Sequence, residues 1–325
     1  MKRRKTDTGL IVVLMLVFLF IGIVIGMLVV YMADRRTPKS GQPSIKHETV
    51  KEVTNVYFPE RKIVQGSILQ NSYNSDGFRI DEGFMAYFNE EGEKISHLGV
   101  DVSYHQQSID FEQLKTSPVE FMMVRCGYRG YTEGGLIQDE KFEEYAQACN
   151  DNDIPLGVYF FTQAVTEEEA LAEADYVINL ISKYKISYPV AFDTEYVQDK
   201  EARTNKAELS KEELSRICIA FCERIKEAGY YPIIYASENW MRRSLDLTML
   251  TDYDFWAPQY LEENDFLYDF TIWQYTEHGS IAGISEDVDL NISMVDYASF
   301  VPALMDAKQT EGEVTTYDPQ ESENW

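Results

Sequence analysis

Basic residues are scarce in this 325-residue sequence. Only 29 Lys+Arg stand against 55 Asp+Glu, a formal net charge of -26. Phosphate backbones are bound by basic surfaces, so nucleic acid is excluded as a partner. Histidine is scarcer still, and His47, His97, His105 and His278 show no paired ligand spacing. No metal is therefore expected. No Gly-rich phosphate cradle is present either, and no cofactor is expected. The four cysteines, Cys126, Cys149, Cys218 and Cys222, are too few and too spread for a disulfide-stapled domain. Cys218 and Cys222 fall one helical turn apart, an awkward geometry for a bridge, so buried free thiols are expected.

What is present points to a folded, acidic chain. Hydrophobic residues make up 45% and aromatics 13%, whereas disordered acidic chains are poor in aromatics. Residues 9–33 carry no charge and are rich in Leu, Ile, Val and Phe. At about 1.5 Å per residue they can cross a hydrocarbon core of roughly 30 Å. The run ends Val30-Tyr31-Met32-Ala33-Asp34, a poor cleavage site, so an uncleaved anchor is expected rather than a leader. Lys2, Arg3, Arg4 and Lys5 precede it, while Arg35, Arg36, Lys39 and Lys46 follow, so charge alone leaves orientation open. Gly22 and Gly26 have the spacing that lets two spans pack closely, which would support weak dimerisation; chance also produces such pairs in Gly-containing apolar helices.

Residues 34–83 have linker chemistry, with Thr37-Pro38-Lys39-Ser40-Gly41-Gln42-Pro43 as punctuation. Phe84, Ala86 and Phe88 then alternate before the turn Glu90-Glu91-Gly92-Glu93, which predicts a short hairpin leading into the main domain. The expected layout is a basic segment 1–8, a span 9–33, a stalk 34–83, a domain 84–306 and a polar tail 307–325.

Within that domain, short β-rich runs alternate with helical stretches. The predicted strands are Leu98–Ser103, Phe121–Cys126, Leu156–Phe161, Pro189–Asp193, Pro232–Ala236, Asp254–Pro258, Thr271–Tyr275 and Asp287–Leu290. Thr166 with Glu169, and Ser210 with Glu213, read as capping boxes. The second helix places Leu214, Ile217, Cys218, Phe221 and Ile225 on one face and stops at Gly229. Alternation of buried strands with helices implies a mostly parallel sheet. The last connections, after Pro258 and after Tyr275, are too short for a helix and two loops. The expectation is an α/β fold, an eight-stranded barrel that is β/α early and β-only near its end.

In such a barrel, functional side chains gather at strand ends. Asp101 ends the first run, Asp193 and Glu195 the fourth, and Asp289 lies in the eighth. Residues two apart share a face, so Asp193 and Glu195 should point together. The first and eighth strands adjoin in a closed barrel, which should place Asp101 beside Asp289. A D-x-E alone is more often a solvated rim, and Asp289 alone could cap a turn through Asn291. Four inward acids in one place are harder to explain without a ligand. Crowded carboxylates raise one another's proton affinity, so one can act as an acid while another stays anionic, as glycosidic cleavage requires. Tyr128, Tyr159, Phe161, Tyr196, Tyr235, Trp256, Tyr260, Trp273 and Tyr275 fall at or just past strand ends. Singly each is core as readily as contact; together they favour a sugar, on whose rings aromatic faces stack.

These residues carry a resemblance. Gly99-Val100-Asp101-Val102-Ser103-Tyr104-His105-Gln106 with Ile109-Asp110, then Pro189-Val190-Ala191-Phe192-Asp193-Thr194-Glu195, then Trp273-Gln274-Tyr275, Gly283-Ile284 and Val288-Asp289-Leu290-Asn291 resemble glycoside hydrolase family 25, the N-acetylmuramidase type of lysozyme. Gln107 and Phe111 depart from the family's usual Gly and Trp. The resemblance implies an irregular (β/α)5β3 TIM-like barrel that cuts the β-1,4 bond between N-acetylmuramic acid and N-acetylglucosamine in peptidoglycan glycan strands. It implies Glu195 as general acid, Asp193 supporting the substrate N-acetyl group, and Asp101 and Asp289 tuning the pair. Substrate contacts are expected from Tyr128, Tyr159, Phe161, Tyr235, Trp256, Trp273 and Tyr275. The run 9–33 makes a single-pass cell-membrane protein the expectation, and the resemblance implies that its catalytic domain is extracytoplasmic. Two other classes share the layout, a peptidoglycan-binding module without catalysis and a membrane-anchored scaffold of a wall complex; retention of all four acids argues against the first.

Overall fold

The computed structural model describes residues 52–54, 62–64, 68–261 and 264–302. The expected span 9–33, with Gly22 and Gly26, and the tail 307–325 lie outside the described residues, as does most of the stalk. Among the described residues no helix is long and apolar enough to cross a membrane.

The chain opens with an antiparallel pair, β1 (Glu52–Thr54) and β2 (Lys62–Val64). A hairpin follows, β3 (Phe78–Asp81) with β4 (Phe84–Tyr87). Its turn residues Glu82 and Gly83 both have positive φ, 50° and 94°, the twist that suits a two-residue hairpin. The second turn, expected after Phe88, is also present: Asn89 N–H donates to Glu93 O at 2.9 Å, and Phe88 bridges Lys94. The expected domain start at 84 is, however, too late. Asn71 Nδ2 donates to Phe266 O at 2.9 Å, Tyr73 hydroxyl to Phe270 O at 3.1 Å, and Phe78 meets the Trp273 ring edge-on at 5.2 Å. These pieces are too short to show a period, and their partners lie nearly 200 residues away.

Nine further strands and six helices follow: β5 (His97–Val102), α1 (Phe111–Leu114), β6 (Phe121–Arg129), β7 (Leu136–Gln138), α2 (Phe142–Asp151), β8 (Leu156–Phe161), α3 (Glu167–Ile181), β9 (Val190–Asp193), α4 (Arg203–Lys206), α5 (Lys211–Glu227), β10 (Pro232–Tyr235), α6 (Glu238–Ser244), β11 (Asp254–Pro258), β12 (Ile272–Gly279) and β13 (Val288–Ser293); residues 297–302 are helical as well. Eight of these strands form a ring in the order β5, β6, β8, β9, β10, β11, β12, β13, closed by β13 on β5; β7 pairs outside it with β6. All eight predicted runs became barrel strands. The ring is parallel except for β13, which is antiparallel to both neighbours. A parallel return needs a crossover of a dozen residues or more, and the short link after β12 permits only a reversal. β13 therefore starts at the mouth and runs down to the floor, where Ser293 faces His97.

The helix ends follow their sequence signals with one change. Ser210 and Glu213 form the reciprocal box. Thr166 caps α3 by accepting from Glu169 N, but the Glu169 carboxylate turns to Val165 N at 2.9 Å and to Arg203. Gly229 ends α5 at φ 94°. The predicted face of α5 is buried against the barrel's outer wall, and all four cysteines are buried and free.

The lumen has its own core, including Phe121, Met123, Ala191, Ile233 and Ile272. Gly99 and Gly157 are small for a reason: a Cβ there would run into the Phe121 ring or the Met123 sulfur. Tyr297 and Val301 join this cluster from beyond β13. The Tyr297 hydroxyl bonds Thr271 Oγ1 at 2.6 Å and Asp254 Oδ2 at 2.9 Å. The floor is thus filled, and hollow space is left at the mouth.

Where no helix covers the wall, the early hairpin does. Tyr73 and Phe78 lie over Phe270 and Trp273, on the outer side of β12.

Candidate functional site

At the mouth a cavity of about 420 Å³ is lined by all four predicted acids, Asp101, Asp193, Glu195 and Asp289. Register explains the meeting: Asp289 is paired directly with Asp101 across β13 and β5. Sequence reasoning placed Asp289 near a strand's end; it lies near the start of a reversed one, which brings it to the same rim.

Asp101 is 4% exposed and held by a fixed set of donors. Its Oδ2 accepts from Gln274 Nε2 and from Asn291 Nδ2, each at 2.8 Å. Both amides are oriented by groups that must donate to their oxygens. The Trp256 indole, a donor only, gives its Nε1–H to Asn291 Oδ1 at 2.8 Å. The hydroxyls of Tyr235 and Tyr260 donate to Gln274 Oε1 at 2.9 and 2.8 Å. Burial pushes the Asp101 carboxyl up to about 6, and the bonds from Asn291 and Gln274 restrain that rise. Asp289 is pushed up to about 9, by burial first and then by the Asp101 charge and the bond shared with it. At neutral pH the shared proton therefore resides on Asp289, and Asp101 is the anion.

The second pair is less supported. Asp193 is buried, its Oδ1 has no hydrogen-bond partner, and burial followed by the Glu195 charge drives its proton affinity well above the carboxylate range. Glu195 is pushed up to about 7 by burial and then by the Asp101 charge. A carboxyl that carries a proton near neutrality beside a fixed anion is the arrangement of a general acid. Thr194, between the two acids, is pinned by Trp240 Nε1, which donates to its Oγ1 at 3.0 Å.

Tyr128, Tyr159, Phe161, Tyr235 and Trp256 line the cavity as expected. Trp273 and Tyr275 do not. Along β12 the inward residue is Gln274, so its neighbours face outward. Trp273 donates its indole N–H to Gln259 O at 2.8 Å and packs under the hairpin; Tyr275 meets Trp273 edge-on at 5.9 Å. The alternation rule applied to β12 would have excluded both and selected Gln274. Asn291, two residues from Asp289, carries the same signal; it clamps Asp101 rather than capping a turn with Asp289. Tyr260 and His105 also line the cavity, while Tyr196 stands exposed beyond it. Arg125, Tyr104, Tyr131 and Glu277 line it too and were not anticipated.

The filled barrel and acid-lined mouth are those of a glycoside hydrolase. Residues 100–284 match glycosyl hydrolases family 25, and the chain belongs to that family. Among its relatives is the autolytic lysozyme of Clostridium acetobutylicum, 23% identical over 194 residues, covering 59% of this chain and 54% of that protein. The modular autolysin LytC from Streptococcus pneumoniae is similar in structure at TM-score 0.54 and 26% identity, covering 66% of this chain and 52% of LytC. A family 25 glycosyl hydrolase from Bacillus anthracis shares the fold at TM-score 0.54 and 21% identity, covering 69% of this chain and 99% of that one. The chain thus spans about half the length of the lysozyme and of LytC.

Proposed function

We propose that this chain hydrolyses the β-1,4 bond between N-acetylmuramic acid and N-acetylglucosamine in peptidoglycan. The observation that carries the reading is the gathering of four acids in one cavity, where Gln274 and Asn291 clamp Asp101 and burial raises the proton affinity of Glu195. Family membership supports it, as does the structure of LytC in complex with a synthetic peptidoglycan ligand. Glu195 protonates the leaving oxygen. Asp193, whose Oδ1 lacks a donor, receives the substrate acetamide N–H and holds that group toward the anomeric carbon. Asp101 supplies negative charge against the oxocarbenium-like centre, and Asp289, holding the shared proton, tunes that charge. Tyr128, Tyr159, Phe161, Tyr235 and Trp256 form the walls that contact the sugar.

The same reading places the chain in the cell membrane through residues 9–33, with the barrel extracytoplasmic where the wall lies, and gives it weak self-association through Gly22 and Gly26. The test is mass spectrometry of fragments released from purified peptidoglycan. Muramic acid at the new reducing ends is expected; glucosamine there would refute the bond assignment. Glu195→Gln should lower turnover by roughly 100-fold or more with the fold intact, and parent-level lysis by that variant would refute the acid role.

A further inference from the structure

Among the described residues that line the cavity there is one permanent cation, Arg125, and the chemistry proposed above leaves it unused. It follows Phe121 and Met123 along β6 at two-residue intervals, so it shares their inward face and stands one step nearer the mouth. Its Nε donates to Asp139 Oδ2 at 2.8 Å. Asp139 is itself buried and also accepts from the backbone N–H of Tyr104 at 3.2 Å and of Lys141 at 2.9 Å. The rings of Tyr104 and Tyr128 lie 5.0 and 5.6 Å from the guanidinium carbon, a cation–π bracket.

The guanidinium is thus anchored at its Nε edge, and its Nη1 makes no hydrogen bond among the described residues. Five carboxylates share the cavity: Asp101, Asp193, Glu195, Glu277 and Asp289. Those that are ionised, the clamped Asp101 above all, would repel an oxygen-rich or anionic substituent, whereas the planar donors of Arg125 suit a carboxyl or carbonyl oxygen. The substituent that distinguishes muramic acid from glucosamine is a lactyl ether ending in such a group, free or amide-linked to peptide.

We infer that Arg125 receives the lactyl carboxyl oxygen of N-acetylmuramic acid and makes the site prefer that sugar over N-acetylglucosamine. The inference rests on the muramidase reading, which the reducing-end analysis tests separately and without reference to Arg125. Arg125 also has a rival role, since its charge opposes the rise in proton affinity of Asp193.

The test is a binding titration with the full chain in detergent micelles. Three disaccharides are compared: N-acetylglucosaminyl-N-acetylmuramic acid, its lactyl amide, and chitobiose. The variants are R125K and R125M/D139N, the latter removing both buried charges so that no lone carboxylate remains. Thermal unfolding and near-ultraviolet circular dichroism establish that each is folded; if the double variant is not, R125K carries the comparison. The parent should bind both muramyl ligands more tightly than chitobiose. In R125M/D139N, muramyl affinity should fall roughly tenfold or more while chitobiose stays within about twofold. R125K should keep part of the preference for the acid and lose that for the amide, because an ammonium is a point charge and not a fork. Equal losses for all three ligands, as the Asp193 role would give, overturn the proposal, and so do unchanged affinities.

Discussion

Replacing Asn291 with Ala should narrow the pH range of catalysis without touching an acid. The change removes the 2.8 Å bond from Nδ2 to Asp101 Oδ2. A hydrogen bond to a charged group is worth about 1.5–3 kcal/mol, and 1.36 kcal/mol corresponds to one pKa unit, so Asp101 should rise by roughly one to two units from about 6. The anion would then be lost as pH falls through a higher value, and the acid limb of the kcat/KM profile should move up by that amount. Glu195 is held at about 7 partly by the Asp101 charge, so weakening that charge lowers it. The acid is required protonated, and the basic limb should therefore move down. Both limbs are read from initial rates on a soluble peptidoglycan fragment between about pH 4 and 9. The Trp256 indole also loses its acceptor, which should cost about 1–3 kcal/mol of stability, visible as a lower unfolding midpoint. A uniform loss of rate with both limbs unmoved would refute the clamp as the source of the proton ranking.

Two further outcomes follow from the same geometry. Asp289→Asn should stabilise the fold while lowering activity. Asp289 holds its proton to about 9, against about 3.9 in an unfolded chain, so its contribution favours folding at low pH and is lost as pH rises through that window. The gain in unfolding midpoint should be roughly ten degrees or more at pH 9 and vanish near pH 4; equal gains at both would contradict it. Deleting residues 1–67 should leave barrel stability intact, whereas deleting 1–83 should uncover Phe270 and Trp273. Losing the buried faces of Tyr73 and Phe78 should cost about 1.5–3 kcal/mol each, and identical denaturant midpoints for the two truncations would show the hairpin to be dispensable.

Much of this was legible in sequence. Each barrel strand was a β-rich run with clear boundaries, because a strand buried on both faces must be apolar throughout. The acids stood out because an ionisable residue ending such a run has no packing role. Legibility failed where direction or parity decided the outcome. Trp273 and Tyr275 looked like sugar contacts by residue type, yet their positions on β12 turn them outward and leave Gln274 inside. Asn291 and Gln274 stand in the matching motifs and on the inward parity of their strands, but they carry no charge, and only the bonds to Asp101 show their role as its clamp. Residues 68–83 read as linker because their partners are contributed by β12 and the loop before it, a relation no local pattern encodes. Arg125 was invisible for a similar reason, since only the closed ring shows which side of β6 faces the acids.

The lone reversed strand decides where the ring begins and ends. The ring is entered at His97 and left at Ser293, two residues that sit opposite each other on the floor. Reversing the last strand thus brings both ends of the ring to the floor, and neither the entry nor the exit of the ring stands at the rim that carries the acids.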